Sequence, residues 1–193
     1  MPAPTSTLTE LRHATAVVHE RLRHLPVFAT LAAGRLDHAA YAVLLGRLYG
    51  FHDSVEAAID RAGPPGLQPA HWRRAHLLRA DMTALGQSDA AIAQLPRYSV
   101  PVSQWSPARA MGVLYVIEGS TLGGRQLARQ LDHLVPAGSI AGRSFLLAGT
   151  GQGHVRWRDF CAALDACGAD AAPRAEMVAG AIEGFQSFGA WFA

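Results

Sequence analysis

Apolar residues recur every three or four positions along most of the chain, which is the period of an amphipathic helix. No stretch of useful length alternates apolar and polar residues as a half-buried strand would. Caps, glycines and prolines separate the helical segments and give each one a start and a stop. The pattern therefore predicts an all-α fold of roughly eight helices, counted by these signals.

Individual residues set the predicted boundaries. Thr7 and Glu10 form a capping box that opens the first helix, and Pro26 ends it. Asp37 is a good N-cap for a long helix, which the segment 63–66 ends with two glycines and two prolines. The other predicted helices are a short one before Gly34 and those from Pro69 to Leu85, Ser88 to Leu95, Ser106 to Leu134, His154 to Ala166 and Pro173 to Trp191.

Composition and charge narrow the function classes. The chain has 193 residues, half of them apolar, so we expect one domain over 1–193 that is large enough to enclose a cofactor-sized pocket. A net charge of +2 without a basic run argues against nucleic acid as a partner. No apolar run approaches the ~18–20 residues of a membrane helix.

Cysteine usage and the first residues predict the compartment. Cys161 and Cys167 lie six positions apart in a predicted helix, which suits neither a disulfide nor a zinc site. The opening residues have no basic region followed by an apolar core, so no signal peptide is predicted. We therefore expect a cytoplasmic protein that binds neither membrane nor nucleic acid.

Glycines are unusually frequent in the predicted helix after Ser106. Gly112, Gly119 and Gly123 fall on one stripe of a 3.6-residue period, and Gly124 follows directly. Each exposed interior glycine costs about 1 kcal/mol relative to alanine, so the stripe needs a reason. A surface without side chains lets a flat ligand approach the backbone, and Gly124 lets the helix bend there.

The same glycines also fit alternatives that leave a ligand out. Small residues permit two helices to pack closely. A phosphate-binding loop would need a Gly-Lys-Ser/Thr ending and a preceding strand, and the sequence has neither. A simple helix break at Gly119 is the third alternative, and glycine alone does not decide among them.

The chain has nine histidines, which suggests a metal site, and their spacing limits the kind of metal site that is possible. Glu10 and His13 match half of a di-iron site, but the sequence has no second such pair. His19 lies on the apolar face of the first helix, where a histidine is usually a core or boundary residue. Arg12 lies two turns earlier on that face, about 10.5 Å along the axis. Heme, with a metal centre and an anionic edge, suits this pair, since a single proximal histidine commonly holds it.

Two segments together resemble the heme oxygenase family. Leu11 to His19, which reads LRHATAVVH, resembles its proximal segment, and Gly119 to Gly124, which reads GSTLGG, resembles its glycine-rich distal helix. Leu48 to His52 is similar to the family's third-helix segment, and Trp157 to Phe160 resembles its aromatic–arginine step near the heme edge. The likeness extends over nearly the whole chain, in particular to the bacterial branch that supplies biliverdin to bacteriophytochromes.

The resemblance implies roles for individual residues. His19 is expected to be the axial iron ligand, with heme between the first helix and the kinked distal helix. Arg12 and Arg158 are expected to bind the heme propionates, with His154 as a weaker candidate. The catalytic distal surface is expected to consist of Gly119, Ser120, Gly123, Gly124 and His52.

Three positions depart from better-known members of the family. Ser120 stands where many have an acidic residue, and His52 where many have a tyrosine, so the proton-delivery route differs. Arg23 stands where a glutamate often follows the proximal histidine, so the residue that orients His19 also differs.

The implied reaction uses heme, O2 and an electron donor such as a reductase, a ferredoxin or an ascorbate-like reductant. It yields biliverdin, carbon monoxide and ferrous iron, and the biliverdin would pass to a bacteriophytochrome. The main alternative is a non-catalytic heme sensor or carrier of the same fold. A thiamine-degrading enzyme of the wider superfold would need a nucleophile and carboxylates with no counterpart here, and a plain helical interaction domain would not bind heme.

Overall fold

The computed structural model describes residues 6–69, 72–100, 105–149 and 153–193, with side chains from 156 onward in the last range. Every regular element in these ranges is helical, which confirms the all-α prediction. The ten α-helices are α1 (Thr7–Arg23), α2 (Pro26–Ala32), α3 (His38–Ala62), α4 (Ala75–Ala84), α5 (Asp89–Ala93), α6 (Pro107–Ser120), α7 (Gly124–Arg129), α8 (Ser144–Leu147), α9 (Gly153–Cys167) and α10 (Ala171–Phe192).

Several predicted helix ends are confirmed by their cap geometry. Asp37 accepts a hydrogen bond from the Ala40 amide at the start of α3, and Gly63 ends that helix with φ 62°. Ser106 caps α6 in the same way, with Pro107 as its first residue. These ends depend on a few neighbouring residues, so the sequence predicts them well.

Two predicted starts are wrong. The N-cap of α1 is Ser6, whose hydroxyl accepts from the Thr9 amide, while the Thr7 amide donates to Asp165 in α9 instead. Helix α4 begins at Ala75 and not at Pro69. The Trp72 and Arg73 amides donate to the Pro69 carbonyl, whereas the Arg74 and Ala75 amides donate to the distant Glu56 carboxylate.

The glycine-rich helix is interrupted, contrary to the prediction of one helix to Leu134. Helix α6 ends at Ser120, a single 3-10 turn covers Thr121–Gly123, and α7 ends at Arg129. The hydroxyls of Ser120 and Thr121 donate to the carbonyl oxygens three residues earlier, which competes with the α-helical pattern. Because a 3-10 turn has fewer residues per turn than an α-helix, the side chains after it point in other directions than a continuous helix would give them.

Helices α6 and α10 form the most extensive contact and carry much of the core. A Cβ on Gly112 of α6 would overlap the Met177 carbonyl oxygen of α10, and one on Gly180 would overlap the Arg109 carbonyl oxygen of α6. The two backbones therefore approach so closely that neither position has room for a methyl group. Helix α1 packs on α10, and α9 contacts both α1 and α6.

Among the described residues, no helix combines the length and apolarity that a membrane span requires.

Candidate functional site

Gly119 and Gly123 form an open surface at the junction of α6 and α7. A Cβ built on either residue would meet no atom of another element within 4 Å. Both residues belong to helical backbone without a positive φ, so the lack of a side chain is not required by their conformation. The missing side chains leave free space at this junction, which a ligand can enter.

Gly112 and Gly124 are of the opposite kind. A Cβ on Gly112 would overlap the Met177 carbonyl oxygen, and one on Gly124 would overlap that of Leu146 in α8. Close packing between helices therefore accounts for these two glycines. Gly124 is grouped with the distal surface by the sequence, but the structure turns it toward α8 and away from the open pair.

His19 borders the same side of the molecule as the open glycines. Its ring lies edge-on to Phe185 of α10, with centroids 5.6 Å apart, and Phe185 lies 6.5 Å from Tyr115. Tyr115 is one helical turn before Gly119, so it shares its face of α6. Two aromatic rings, those of Phe185 and Tyr115, thus lead from the imidazole to the glycine surface.

The His19 side chain is exposed, and Phe185 is its one recorded partner in the described part of the chain. No hydrogen bond or ion pair within those ranges occupies a ring nitrogen of His19. A neutral imidazole with a free nitrogen is a competent axial ligand for iron. The side chains present therefore fit a flat metal-bearing ring.

Arg12 and Arg158 come from different helices and flank the same residue. Burial raises the pKa of the Cys161 thiol, and the nearby Arg12 charge partly opposes that rise. Arg158 lies one turn before Cys161 on α9 and is exposed, and its guanidinium Nε lies 3.8 Å from Asp159. Two arginines from two helices therefore lie near Cys161, and the side chain of each is open to an anionic group of a ligand. The His154 side chain lies outside the described residues.

His52 and Ser120 are placed differently. The buried His52 has Nδ1 3.1 Å from Glu56 Oε1, and its ring packs edge-on against Phe145. Ser120 is exposed beside Gly119, and its hydroxyl donates to the Ile117 carbonyl at 2.7 Å. Ser120 therefore adjoins Gly119 at the surface, whereas His52 of α3 is buried against α8.

Sequence reasoning missed a group of buried charges behind the glycine surface. Glu118 Oε1 accepts from Arg74 at 2.7 Å, and Glu118 Oε2 lies 3.7 Å from Arg156 of α9. Burial lowers the pKa of Arg74 despite the opposing charge of Glu118. The available signal was one glutamate within the apolar run of α6, because a buried carboxylate requires a partner.

The neighbouring cavity is too small for a cofactor. It measures about 10 Å³ and is lined by residues that include Trp72, Glu118 and Arg156, so it has room for about one water molecule. Within the described ranges, no three His, Cys, Asp or Glu side chains cluster to hold a metal ion. A metal at the His19 side would therefore need ligands of its own, as iron has in heme.

Comparisons with known proteins show which family the chain resembles. The family model described as "Heme oxygenase" matches residues 5–193. A curated heme oxygenase from Xanthomonas campestris is 37% identical over 163 residues, which cover 82% of this chain and 92% of that protein.

Solved structures support the fold. Heme oxygenase from Leptospira interrogans matches with a TM-score of 0.79 at 20% identity, covering 97% of this chain and 98% of that one. Heme oxygenase-1 from the cyanobacterium Synechocystis, solved in complex with heme, matches with a TM-score of 0.73 at 16% identity, covering 97% and 91%. Neisseria meningitidis heme oxygenase, solved with NO and CO bound, gives 0.73 at 23% identity, covering 97% and 90%.

Proposed function

The chain belongs to the heme oxygenase family, and on that premise we propose which of its residues hold heme and which expose it to oxygen. The protein is a heme oxygenase, and heme and O2 are its substrates. We take the products to be biliverdin, carbon monoxide and ferrous iron. The electrons come from a reductase, a ferredoxin or an ascorbate-like donor.

The open surface of Gly119 and Gly123 is the observation that carries the assignment. Heme, when bound, supplies the iron that binds oxygen and the porphyrin ring that is oxidised. The protein must hold a flat ring against backbone without interposing a side chain, and these glycines leave that space free. Tyr115 and Phe185 line the way from this surface to the His19 imidazole.

His19 would hold the heme iron in this proposal, through a ring nitrogen that no described residue occupies. Arg12 and Arg158 bind the propionates by charge-assisted hydrogen bonds, which fix the rotation of the ring. His154 stays a weaker candidate for the same edge. Rotation decides which ring carbon faces the oxygen, so these arginines select the biliverdin isomer.

The glycine surface carries no strong acid. Ser120 stands beside Gly119, and its proton is engaged by the Ile117 carbonyl. His52 is covered by Phe145 and paired with Glu56, so it acts behind the surface rather than on it. Protons for the reaction would therefore come from solvent water, which can reach this surface at the exposed Gly123.

We further propose a cytoplasmic location and transfer of biliverdin to a bacteriophytochrome. Both cysteines are free, which suits a reducing compartment. Biliverdin trapping by an added apo-bacteriophytochrome would test the transfer.

An anaerobic heme titration followed by oxygen and ascorbate tests the function. We expect a Soret band that is lost as biliverdin forms. His19→Ala is expected to lose the histidine-ligated spectrum and turnover, whereas His13→Ala, an exposed histidine elsewhere on α1, keeps both. Full turnover by His19→Ala would contradict the ligand assignment, and a stable Soret band in the parent protein would indicate a heme carrier.

A further inference from the structure

Glu118 occupies a junction between three helices. It immediately precedes Gly119 in α6 and is 5% exposed. Its two carboxylate oxygens face different partners, Arg74 at the N-cap of α4 at 2.7 Å and Arg156 of α9 at 3.7 Å. One side chain therefore links the glycine-bearing helix to two neighbours.

The backbone of the same residue participates in the helix break. The Glu118 carbonyl accepts the hydroxyl proton of Thr121 at 2.7 Å, and α6 ends at Ser120. Residue 118 is thus held on both its side chain and its carbonyl just where the open surface begins. A shift of Glu118 would move Gly119 with it.

Helix α9 carries two arginines that project in different directions. Arg156 is partly buried and faces Glu118, while Arg158 is exposed and lies one turn from Cys161, the neighbour of Arg12. Residues two positions apart on a helix differ by about 200° in direction. The helix that offers an anion-binding arginine to heme is therefore tied, on its other side, to Glu118.

We propose that Glu118 is a positioning residue that sets the regiochemistry of heme cleavage. Through Arg156 it fixes α9, and with it Arg158, relative to the surface of Gly119 and Gly123. The arginine that holds the ring edge and the glycines that admit oxygen then keep one mutual orientation. This inference rests on the proposed function, because Arg158 matters only if it binds the propionates.

The two ion pairs of Glu118, called here its Arg74 arm and its Arg156 arm, differ in strength. The Arg74 arm is short and buried, so removal of one partner would take from the other buried charge its 2.7 Å counterion and lower stability. The Arg156 arm is longer and partly exposed, and such pairs contribute little to stability. Arg156→Gln therefore separates positioning from folding, and Glu118→Gln tests both arms.

The experiment measures the biliverdin isomer ratio, the heme dissociation constant and amide hydrogen exchange of the heme-free protein. We expect Arg156→Gln to unfold at nearly the parent urea concentration yet change the isomer ratio several-fold. Exchange should quicken in peptides from α9 and from 119–129. Glu118→Gln should change the ratio at least as much and also lower stability.

Glu183→Gln is the matched control. Glu183 joins Arg109 near the opposite end of α6 at 2.8 Å, so its loss weakens an ion pair of the same helix away from Gly119. It should leave the isomer ratio unchanged. An unchanged ratio and unchanged exchange in Arg156→Gln would overturn the inference. Failure of the parent protein to bind or cleave heme would instead reject the proposed function.

Discussion

Four glycines in and after one helix divide into two kinds. Gly119 and Gly123 face open space, whereas Gly112 and Gly124 are pressed against the carbonyl oxygens of Met177 and Leu146. All four carry a similar cost in helix propensity relative to alanine. Close packing between helices offsets that cost for the closed pair, and the open pair leaves room for a ligand that can offset it.

The regular glycine stripe fails even within one continuous helix. Gly112 and Gly119 both belong to α6, seven residues apart, yet a Cβ on Gly112 would overlap the Met177 carbonyl oxygen of α10 and one on Gly119 would meet no described residue of another element within 4 Å. The 3-10 turn at Thr121–Gly123 follows both of them, and Gly124 beyond it packs on α8. Equal spacing in sequence therefore does not imply equal surroundings, because the neighbouring helices pass different points of the helix axis.

The largest expected effect comes from adding a methyl group at Gly112, where α6 and α10 pack closely. Gly112→Ala would place a methyl group over the Met177 carbonyl and 2.8 Å from the Ala181 amide nitrogen, both in backbone that cannot turn away. We expect a loss of about 3 kcal/mol or more in unfolding free energy, or failure to fold. Urea unfolding of the heme-free protein measures it, and parent-like stability would refute the close packing.

Asp81→Asn tests the support of Gly124 from α8. The buried Asp81 carboxylate accepts from the Ser144 and Phe145 amides at 2.7 and 2.9 Å, and Leu146, which contacts Gly124, follows directly. Asparagine can accept only one of these bonds well, so we expect a loss of about 1–3 kcal/mol. Urea unfolding at neutral pH gives the value, and no loss would mean that α8 is held otherwise.

The same variant has a pH signature. Burial raises the pKa of Asp81 above its ordinary 3.8, so the folded state holds that proton more tightly than the unfolded state does. The contribution of Asp81 to stability therefore grows as pH falls from the folded pKa toward the ordinary one. The stability difference between the parent and Asp81→Asn should widen on acidification, and a difference that narrows would contradict the direction of the shift.

Gly119→Ala should raise the unfolding free energy of the heme-free protein, whereas Gly112→Ala should lower it. A methyl group at 119 meets no neighbour, and alanine favours helix, so the heme-free protein should gain up to about 1 kcal/mol. Heme turnover should fall because the methyl group enters the space for oxygen, and Gly119→Leu should reduce it further. Urea unfolding tests the expected gain in stability, and biliverdin formation by the same preparation tests the expected loss of turnover. Lost stability together with normal turnover would reverse the roles of the two glycines.

The smallest expected effect concerns Arg12, which lies near Cys161 of α9. Arg12→Gln removes a charge that lowers the Cys161 pKa, so the thiol should ionise less and react more slowly with iodoacetamide at fixed pH. Unfolding free energy should change by no more than about 0.5 kcal/mol. Arg21→Gln, at the other end of α1, is the control and should leave the rate unchanged. Equal iodoacetamide reaction rates in the parent protein and both variants would show that the Arg12 charge does not act on Cys161 of α9.

The sequence by itself determined the helical class, the caps at Asp37, Ser88 and Ser106, and the family, through segments at His19 and Gly119. These are local features, because a cap or an amphipathic period depends on residues within one or two turns. The roles of His19, Arg12 and Arg158 stay predictions that the geometry supports.

Tertiary structure alone decided which glycines are open, where His52 lies and what Glu118 contacts. Arg74 and Glu118 are 44 positions apart, and Gly112 meets a carbonyl 65 positions later, at Met177. Such partners are chosen when helices dock, because a buried charge must find its counterion and a bare backbone its neighbour within the packed core. Nothing in the local sequence distinguishes a glycine that will meet a carbonyl from one that will meet a ligand.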